Sequence, residues 1–527
     1  MAVGAQRSNL MTVPTDCDQR DERLGWMGDA NLSGESMMLN FDMPGFFRHF
    51  IELMTTEMDK DGSLPDVVPF VRFGNRPGDV SWSGAYVNWF YLLWKYDDDL
   101  ETTKKHLGSI LDQLDNIKMQ AKAGLKNMHT PYGDWCPPPK KMGDGQGPKP
   151  SSPYTSAFSY LAMIRQVQEL AEALGNKTLS ADLTIQFNDV SKEFNDAFYS
   201  PTNNSAVYDN GLQTALVLPL SLGIVPDKIR AESALINSIK GLQGHYNTGI
   251  IGFRWLFDAL SDMGEHNTAL NILSKTDYPS IGYYFANGEE PATENLWELP
   301  DANREGTGMN SRNHHMWSSY SSYLIRKVVG ISQHHQSNGY WDLELRPGYF
   351  RDLSSASGIL RLKQGSVKLS WKKHGGEHCD SAAKGDAVHL DCGENGGFIS
   401  RILFASYGFP QGTDCDSMKI DPKCHDAMIE NNVVKHCLGK KKCDIKALSN
   451  GLSCKNFDGK VERLVVKVKC SVEDAKLHVK TQLPLGTSAR LYHTTKSRKT
   501  NSGNDIHFSE KYIDLRESGR YEHILEY

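Results

Sequence analysis

The sequence predicts a multidomain protein in which a large all-helical toroid is followed by a β-sandwich carrying an inserted disulfide-rich module. Three observations point there. The chain has 527 residues, too many for one hydrophobic core and enough for two to four domains. Apolar residues recur at helical spacing up to about residue 330 and at period two beyond it. Eight of the ten cysteines fall between Cys379 and Cys470, with only Cys17 and Cys136 before them.

The helices come first. In SAFSYLAMIRQVQELAEALGN, the residues Tyr160, Ile164, Val167, Ala171 and Leu174 share one helix face, and Gly175 is placed to end it. TGIIGFRWLFDALSDMG repeats the design with Phe253, Leu256, Phe257 and Leu260 before Gly264. Similar runs recur at AYVNWFYLLWKYDDD, LGSILDQLDNIKMQAKAG, GLQTALVLPLSLGIVP and WSSYSSYLIRKVVGI. No fixed-period motif accompanies them, which favours a closed toroid over a solenoid. After residue 335 the pairs Leu343 and Leu345, then Leu360 and Leu362, then Val367, Leu369 and Trp371 alternate with polar neighbours, as strands do. The alternation resumes at Leu477, Val479 and Thr481 and at Ala489 and Leu491. The predicted domains are therefore 1–332, then 333–373 continued by 472–527, with 374–471 inserted in a hairpin loop, where insertions are best tolerated.

Cysteine density of this kind marks a disulfide framework and an oxidising compartment, so a secreted or extracellular protein is expected. The N-terminus MAVGAQRSNLMTVPTDC nevertheless lacks the basic and apolar segments of a signal peptide. Net charge is −6, which supplies no positive field for a phosphate backbone and argues against a nucleic-acid partner. No apolar run is long enough to span a bilayer.

One segment is dense in ionisable groups. PTDCDQRDERLGWMGD places Asp16, Asp18, Asp21, Glu22 and Asp29 around Arg20, Arg23 and Trp26. If several face one pocket, repulsion and burial raise the pKa of one carboxyl while its neighbours stay ionised, which keeps a general acid protonated. Glu22 is the leading candidate. A solvated acidic loop is the other reading of the same residues.

PTDCDQRDERLGWMGDA closely resembles the signature of the inverting α-L-rhamnosidases, glycoside hydrolase family seventy-eight, departing from it at Asp18 and Met27. Further family features follow in order: LPDVVP, GDVSWSGAYV with Trp82, YGDW with Trp135, DYPSIGYYFANGEEPATENLWE ending at Glu298, and MNSRNHHMW with His314. The resemblance implies an (α/α)6 barrel that hydrolyses terminal α-L-rhamnosides with inversion. By position, Glu22 is the acid and Glu298 the base, although LPD replaces the family's usual continuation after Glu298. Asp16, Arg20 and Asp29 would hold sugar hydroxyls, Trp26, Trp82 and Trp135 would wall the pocket, and His314 would add a polar contact. Inversion needs carboxyls roughly 6.5–9.5 Å apart, with room for a water. Another inverting exo-glycosidase, or an inactive carbohydrate-binding protein derived from one, are the alternatives. Family members carry a further barrel helix before the signature, so an N-terminally truncated barrel is expected. Cys17 and Cys136 lie beside Arg20 and Trp135 in sequence, and a disulfide between them would clamp two active-site loops.

HLDCGENGGFISRILFASYGFPQGTDC, KCHDAMIENNVVKHCLGKKKC and VERLVVKVKC resemble the galactose- and rhamnose-binding lectin module of the SUEL type. The resemblance implies the pairs Cys379–Cys415, Cys392–Cys470, Cys424–Cys454 and Cys437–Cys443. Its sugar-binding residues are altered: Leu452 and Ser453 stand for Asp and Pro, Glu462 for Lys, and Asp380 for Glu. No metal or cofactor is expected, because His334–His335 and the scattered Cys/His pairs lack zinc-ligand spacing and this hydrolysis needs none.

Overall fold

The computed structural model describes residues 1–18, 22–71, 73–128, 131–141, 144–202, 207–283, 295–299, 310–348, 350, 353, 355–373, 377–392, 397–412, 418–448, 461–472, 476–498 and 506–526. Up to residue 329 the regular structure is helical: α1 (Ala2–Asn9), α2 (Met27–Asn40), α3 (Pro44–Thr56), the single turn α4 (Val80–Ser83), α5 (Ala85–Asp97), α6 (Leu100–Ala121), α7 (Ser152–Ala173), α8 (Lys177–Phe198), α9 (Gln213–Leu222), α10 (Lys228–Gly241), α11 (Ile250–Asp262) and α12 (His266–Ser274). Side chains define where several of them start. Asp99, Asn176 and Asp227 accept the orphan N–H groups of Thr102, Leu179 and Arg230 at 2.9, 3.2 and 3.1 Å. Gly175, with φ +74°, lies just beyond α7, whose stripe of Tyr160, Ile164, Val167 and Ala171 is buried. One core joins these helices, with Trp89 of α5 stacked on Phe47 of α3 at 3.8 Å between ring centroids.

Two elements depart from the sequence pattern. The first is α1, whose AVGAQRSN carries no apolar stripe. Its Ala2 and Ala5 join the helical core, and buried Gln6 donates to Ser36 Oγ at 2.6 Å and Ser318 Oγ at 2.8 Å. Long-range polar contacts thus hold a helix that periodicity cannot reveal. The second is WSSYSSYLIRKVVGI, which forms a 3₁₀ segment His315–Ser319, then α13 (Tyr320–Tyr323), then a wider π turn Leu324–Val329, ending at Gly330 with φ +94°.

Strands begin at β1 (Ile331–Gln333), slightly ahead of the first readable alternation, followed by β2 (Asp342–Leu345), β3 (Ser355–Leu362) and β4 (Gly365–Lys373). Beyond residue 475 come β10 (Lys476–Leu483), β11 (Ser488–Arg498), β12 (Ile506–Leu515) and β13 (Gly519–Glu526). They make two four-stranded sheets, β1-β2-β11-β12 and β13-β10-β4-β3, around a core that includes Leu343, Leu345, Leu369, Trp371, Val479 and Leu491. Strands β4 and β10 pair directly, Trp371 opposite Val479. The intervening chain holds its own sheets, from β5 (Glu377–Ala383), β6 (Ala387–Asp391), β7 (Gly397–Gly408), β8 (Lys442–Lys446) and β9 (Arg463–Val472), with α14 (Ile429–Cys437) packed on them around a third core.

Candidate active site

The acidic segment forms a loop leading into α2. Asp16 N–H donates to the Leu24 carbonyl and Leu24 N–H returns to Asp16 Oδ1, each at 2.9 Å, tying the two ends of the acidic segment together. Arg20 itself lies outside the described residues. Gly25 lets this loop lie on the LPDVVP segment, since a Cβ there would sit 2.0 Å from the Val68 carbonyl oxygen. Trp26 bridges Val67, and its indole N–H donates to Glu22 Oε1 at 2.8 Å, which fixes that carboxyl. Asp29 is buried in the first turn of α2.

The three tryptophans come together around Tyr132, which sequence reasoning missed. Ring centroids of Trp26, Trp82 and Trp135 lie 5.7, 4.8 and 5.9 Å from that of Tyr132. Its hydroxyl donates to Asp66 Oδ2 at 2.9 Å and accepts from Asn75 Nδ2 at 3.0 Å. Trp82, on α4, packs so tightly over Gly28 that a Cβ there would meet the indole at 2.3 Å. Trp135 is placed by its neighbour: buried Asp134 accepts from the N–H groups of Gly249, Ile251 and Gly252 at 2.7, 2.8 and 3.3 Å and from Thr214 Oγ1 at 2.5 Å. The site loops are thereby pinned to the N-terminal ends of α2, α4 and α11. The YGDW motif carried both missed residues, but only their partners reveal their roles.

Glu298 enters from the other end of the chain. Its backbone N–H donates to the Ser311 carbonyl at 2.8 Å and its Oε2 accepts from Ser311 N–H at 3.0 Å, while His314 N–H donates to Leu296 at 2.7 Å. A backbone bridge from His314 to Cys17 then sets this segment against the acidic loop. Glu298 and His314 are both buried.

His314 Nε2 lies 2.8 Å from Asp29 Oδ1. Burial works against its proton, but Asp29, Glu298 and Asp16 outweigh it and push the imidazole up to about 9. Asp29 answers in kind: burial opposes its charge, yet His314 holds it below the usual carboxylate range. Asp16 moves the other way, its carboxyl raised above the usual range. Burial, with Asp29 and Glu22 nearby, takes it to about 6 against the pull of His314. His315, next in sequence, takes the opposite state. Fully buried and 2.8 Å from Ser33 Oγ, it is pushed down to about 4 by burial and by His314. Glu22 acts electrostatically on Asp16, and Glu298 on His314, so both candidate catalytic carboxyls lie at one cluster.

Cys17 and Cys136 are both buried and are not joined to each other, so a disulfide clamp between the two loops does not form. Their surroundings explain it: Cys17 sits with Asp16 and His314, whereas Cys136 packs into the helical core. Asp16, Cys17 and His314 place ligand-type atoms within 4.8 Å of one another.

In the inserted module, disulfides join Cys392 to Cys470, with Cα atoms 5.4 Å apart, and Cys437 to Cys443, with 5.3 Å. Cys379 and Cys424 are also disulfide-bonded; their expected partners Cys415 and Cys454, like Leu452 and Ser453, lie outside the described residues. Glu462 is buried, accepts from the Tyr407 hydroxyl at 3.0 Å and pairs with Lys384 Nζ at 2.8 Å. It is an internal structural acid.

Residues 1–328 match the model of the bacterial α-L-rhamnosidase six-hairpin glycosidase domain, and the chain belongs to that family. Residues 390–470 match the D-galactoside/L-rhamnose-binding SUEL lectin domain. An α-L-rhamnosidase of Formosa agariphila is 26% identical over 378 residues, covering 70% of this chain and 40% of its own. The solved α-L-rhamnosidase of Dictyoglumus thermophilum shares the fold with a TM-score of 0.70 at 24% identity, over 100% of this chain and 48% of its own. That of Streptomyces avermitilis, complexed with L-rhamnose, has a TM-score of 0.68 at 19% identity, over 99% and 40%. The chain thus spans about two fifths of the curated relatives' length. Among the described residues, no helix is long and apolar enough to cross a membrane.

Proposed function

We propose that the protein is an extracellular glycoside hydrolase that removes terminal α-L-rhamnose by inversion. Residues 1–332 would close as an (α/α)6 barrel, 333–373 with 472–527 as a β-sandwich, and 374–471 as the inserted lectin-like module. The observation that carries the reading is the convergence of Glu22 and Glu298, remote in sequence, on one cluster of Asp16, Asp29 and His314 beside three tryptophans. In the reaction Glu22 gives its proton to the glycosidic oxygen as the C1–O bond breaks. Glu298 takes a proton from the water that attacks C1 from the opposite face, releasing the alcohol and β-L-rhamnose. Asp16, Arg20 and Asp29 hold hydroxyls, and His314 fixes Asp29 by its ion pair. The tryptophans offer apolar faces to the sugar's methyl group and C–H bonds. The lectin-like module, with the further pairs Cys379–Cys415 and Cys424–Cys454, would bind galactose- or rhamnose-containing glycans and raise local substrate concentration.

Glu22→Gln and Glu298→Gln test the assignment on an aryl α-L-rhamnoside. Each is expected to lower kcat by roughly 10²–10⁴ with little change in KM. Full turnover by either variant would remove that residue from the mechanism, and a wild type that binds rhamnose without turnover would make the protein a carbohydrate-binding one.

A further inference from the structure

We propose that His334, His335 and Glu344 form a site for one divalent transition-metal ion of the zinc class. The three side chains line a cavity of about 990 Å³ whose wall includes none of Asp16, Glu22, Asp29, Glu298 or His314. Their neighbours along the sequence do not reveal the site, because two adjacent histidines have no metal-ligand spacing; strand pairing supplies the third donor. Strands β1 and β2 are antiparallel with Ser332 opposite Glu344, and His334 N–H continues the ladder to the Asp342 carbonyl at 2.9 Å. With side chains alternating along each strand, His334 falls on the face of Asp342 and Glu344.

The donor atoms already lie near metal-binding positions. Glu344 Oε1 is 3.9 Å from His334 Nε2 and 3.8 Å from His335 Nδ1, and one ligand atom from each of the three residues falls within 4.8 Å of the others. An ion about 2.0–2.2 Å from each donor requires them to be about 3.2–4.2 Å apart, so shifts of a few tenths of an ångström suffice. Orientation is provided too. Arg346 Nε donates to Glu344 Oε2 at 3.0 Å, turning Oε1 toward the histidines. Asp342 Oδ2 stands 3.8 Å from His334 Nδ1 and is itself held by Arg490 at 3.0 Å. Metal on Nε2 selects the tautomer with its proton on Nδ1, facing Asp342, and gives up the 3.3 Å bond from Gln336 N–H. His335 is 72% exposed, which leaves the ion a path from solvent. Two imidazoles and one carboxylate suit zinc, cobalt or nickel, whereas calcium and magnesium prefer all-oxygen sites.

Cobalt(II), titrated into the full chain without an affinity tag and followed by visible absorption, tests this directly. One equivalent should bind and be displaced by zinc, with His335→Ala and Glu344→Gln each weakening affinity at least tenfold and His389→Ala leaving it unchanged. Asp342→Asn should weaken it by about tenfold through the imidazole it faces. No absorption from the wild type would overturn the proposal. So would absorption that survives His335→Ala and Glu344→Gln but is lost in Cys17→Ser, which would place the ion at the Asp16–Cys17–His314 group.

Discussion

Replacing Asp29 by asparagine should flatten the alkaline arm of the protein's stability. In the folded chain His314 titrates at about 9 against an ordinary 6.5. Burial alone would drive its proton off, so the rise is the work of Asp29 at 2.8 Å, helped by Glu298 and Asp16. At about 1.4 kcal/mol per tenfold in affinity, the rise is worth about 3 kcal/mol. The folded state holds a proton that the unfolded chain releases above pH 6.5. The stabilisation is therefore complete below 6.5 and disappears as pH climbs through 9. Asp16 does not confuse this window: raised from 3.8 to about 6, it costs stability progressively between those values and by a constant amount above them. Urea unfolding followed by far-ultraviolet ellipticity at pH 6.5 and pH 9 should show the wild type losing about 2.5 kcal/mol, since His314 is half titrated at the upper pH, and Asp29→Asn losing only a small part of that. Equal losses in both proteins, or none in the wild type, would refute the electrostatic account of the cluster.

Two further substitutions probe the aromatic wall. Gly28→Ala would press a methyl group against the buried Trp82 indole at 2.3 Å and should cost about 1–3 kcal/mol in unfolding free energy, with a raised KM for aryl rhamnosides. Tyr132→Phe removes the hydroxyl that bonds Asp66 and Asn75. It should lower stability by about 1–2 kcal/mol and raise KM more than it lowers kcat.

Much of the fold is written in local periodicity. The stripe through Tyr160, Ile164, Val167 and Ala171 becomes the buried face of α7, and alternation at Val367, Leu369 and Trp371 becomes the buried face of β4. The split of that alternation around the cysteine-rich block becomes the pairing of β4 with β10. What sequence reading misses depends on partners distant in the chain. Helix α1 is anchored by Gln6 reaching Ser36 and Ser318. Asp134 acquires its role only when the N-terminus of α11 arrives above it. Of the adjacent histidines 314 and 315, sequence cannot say which holds a proton; Asp29 faces one and Ser33 the other. Glu344 joins His334 and His335 only through the register of two short strands.

The central claim is that two carboxyls divide proton donation and water activation across one sugar. Proton magnetic resonance of the first product released from an aryl α-L-rhamnoside tests it most directly. The account predicts that β-L-rhamnose accumulates first and then mutarotates. Initial release of the α-anomer would mean a covalent intermediate on one carboxyl, and would contradict the roles given to Glu22 and Glu298.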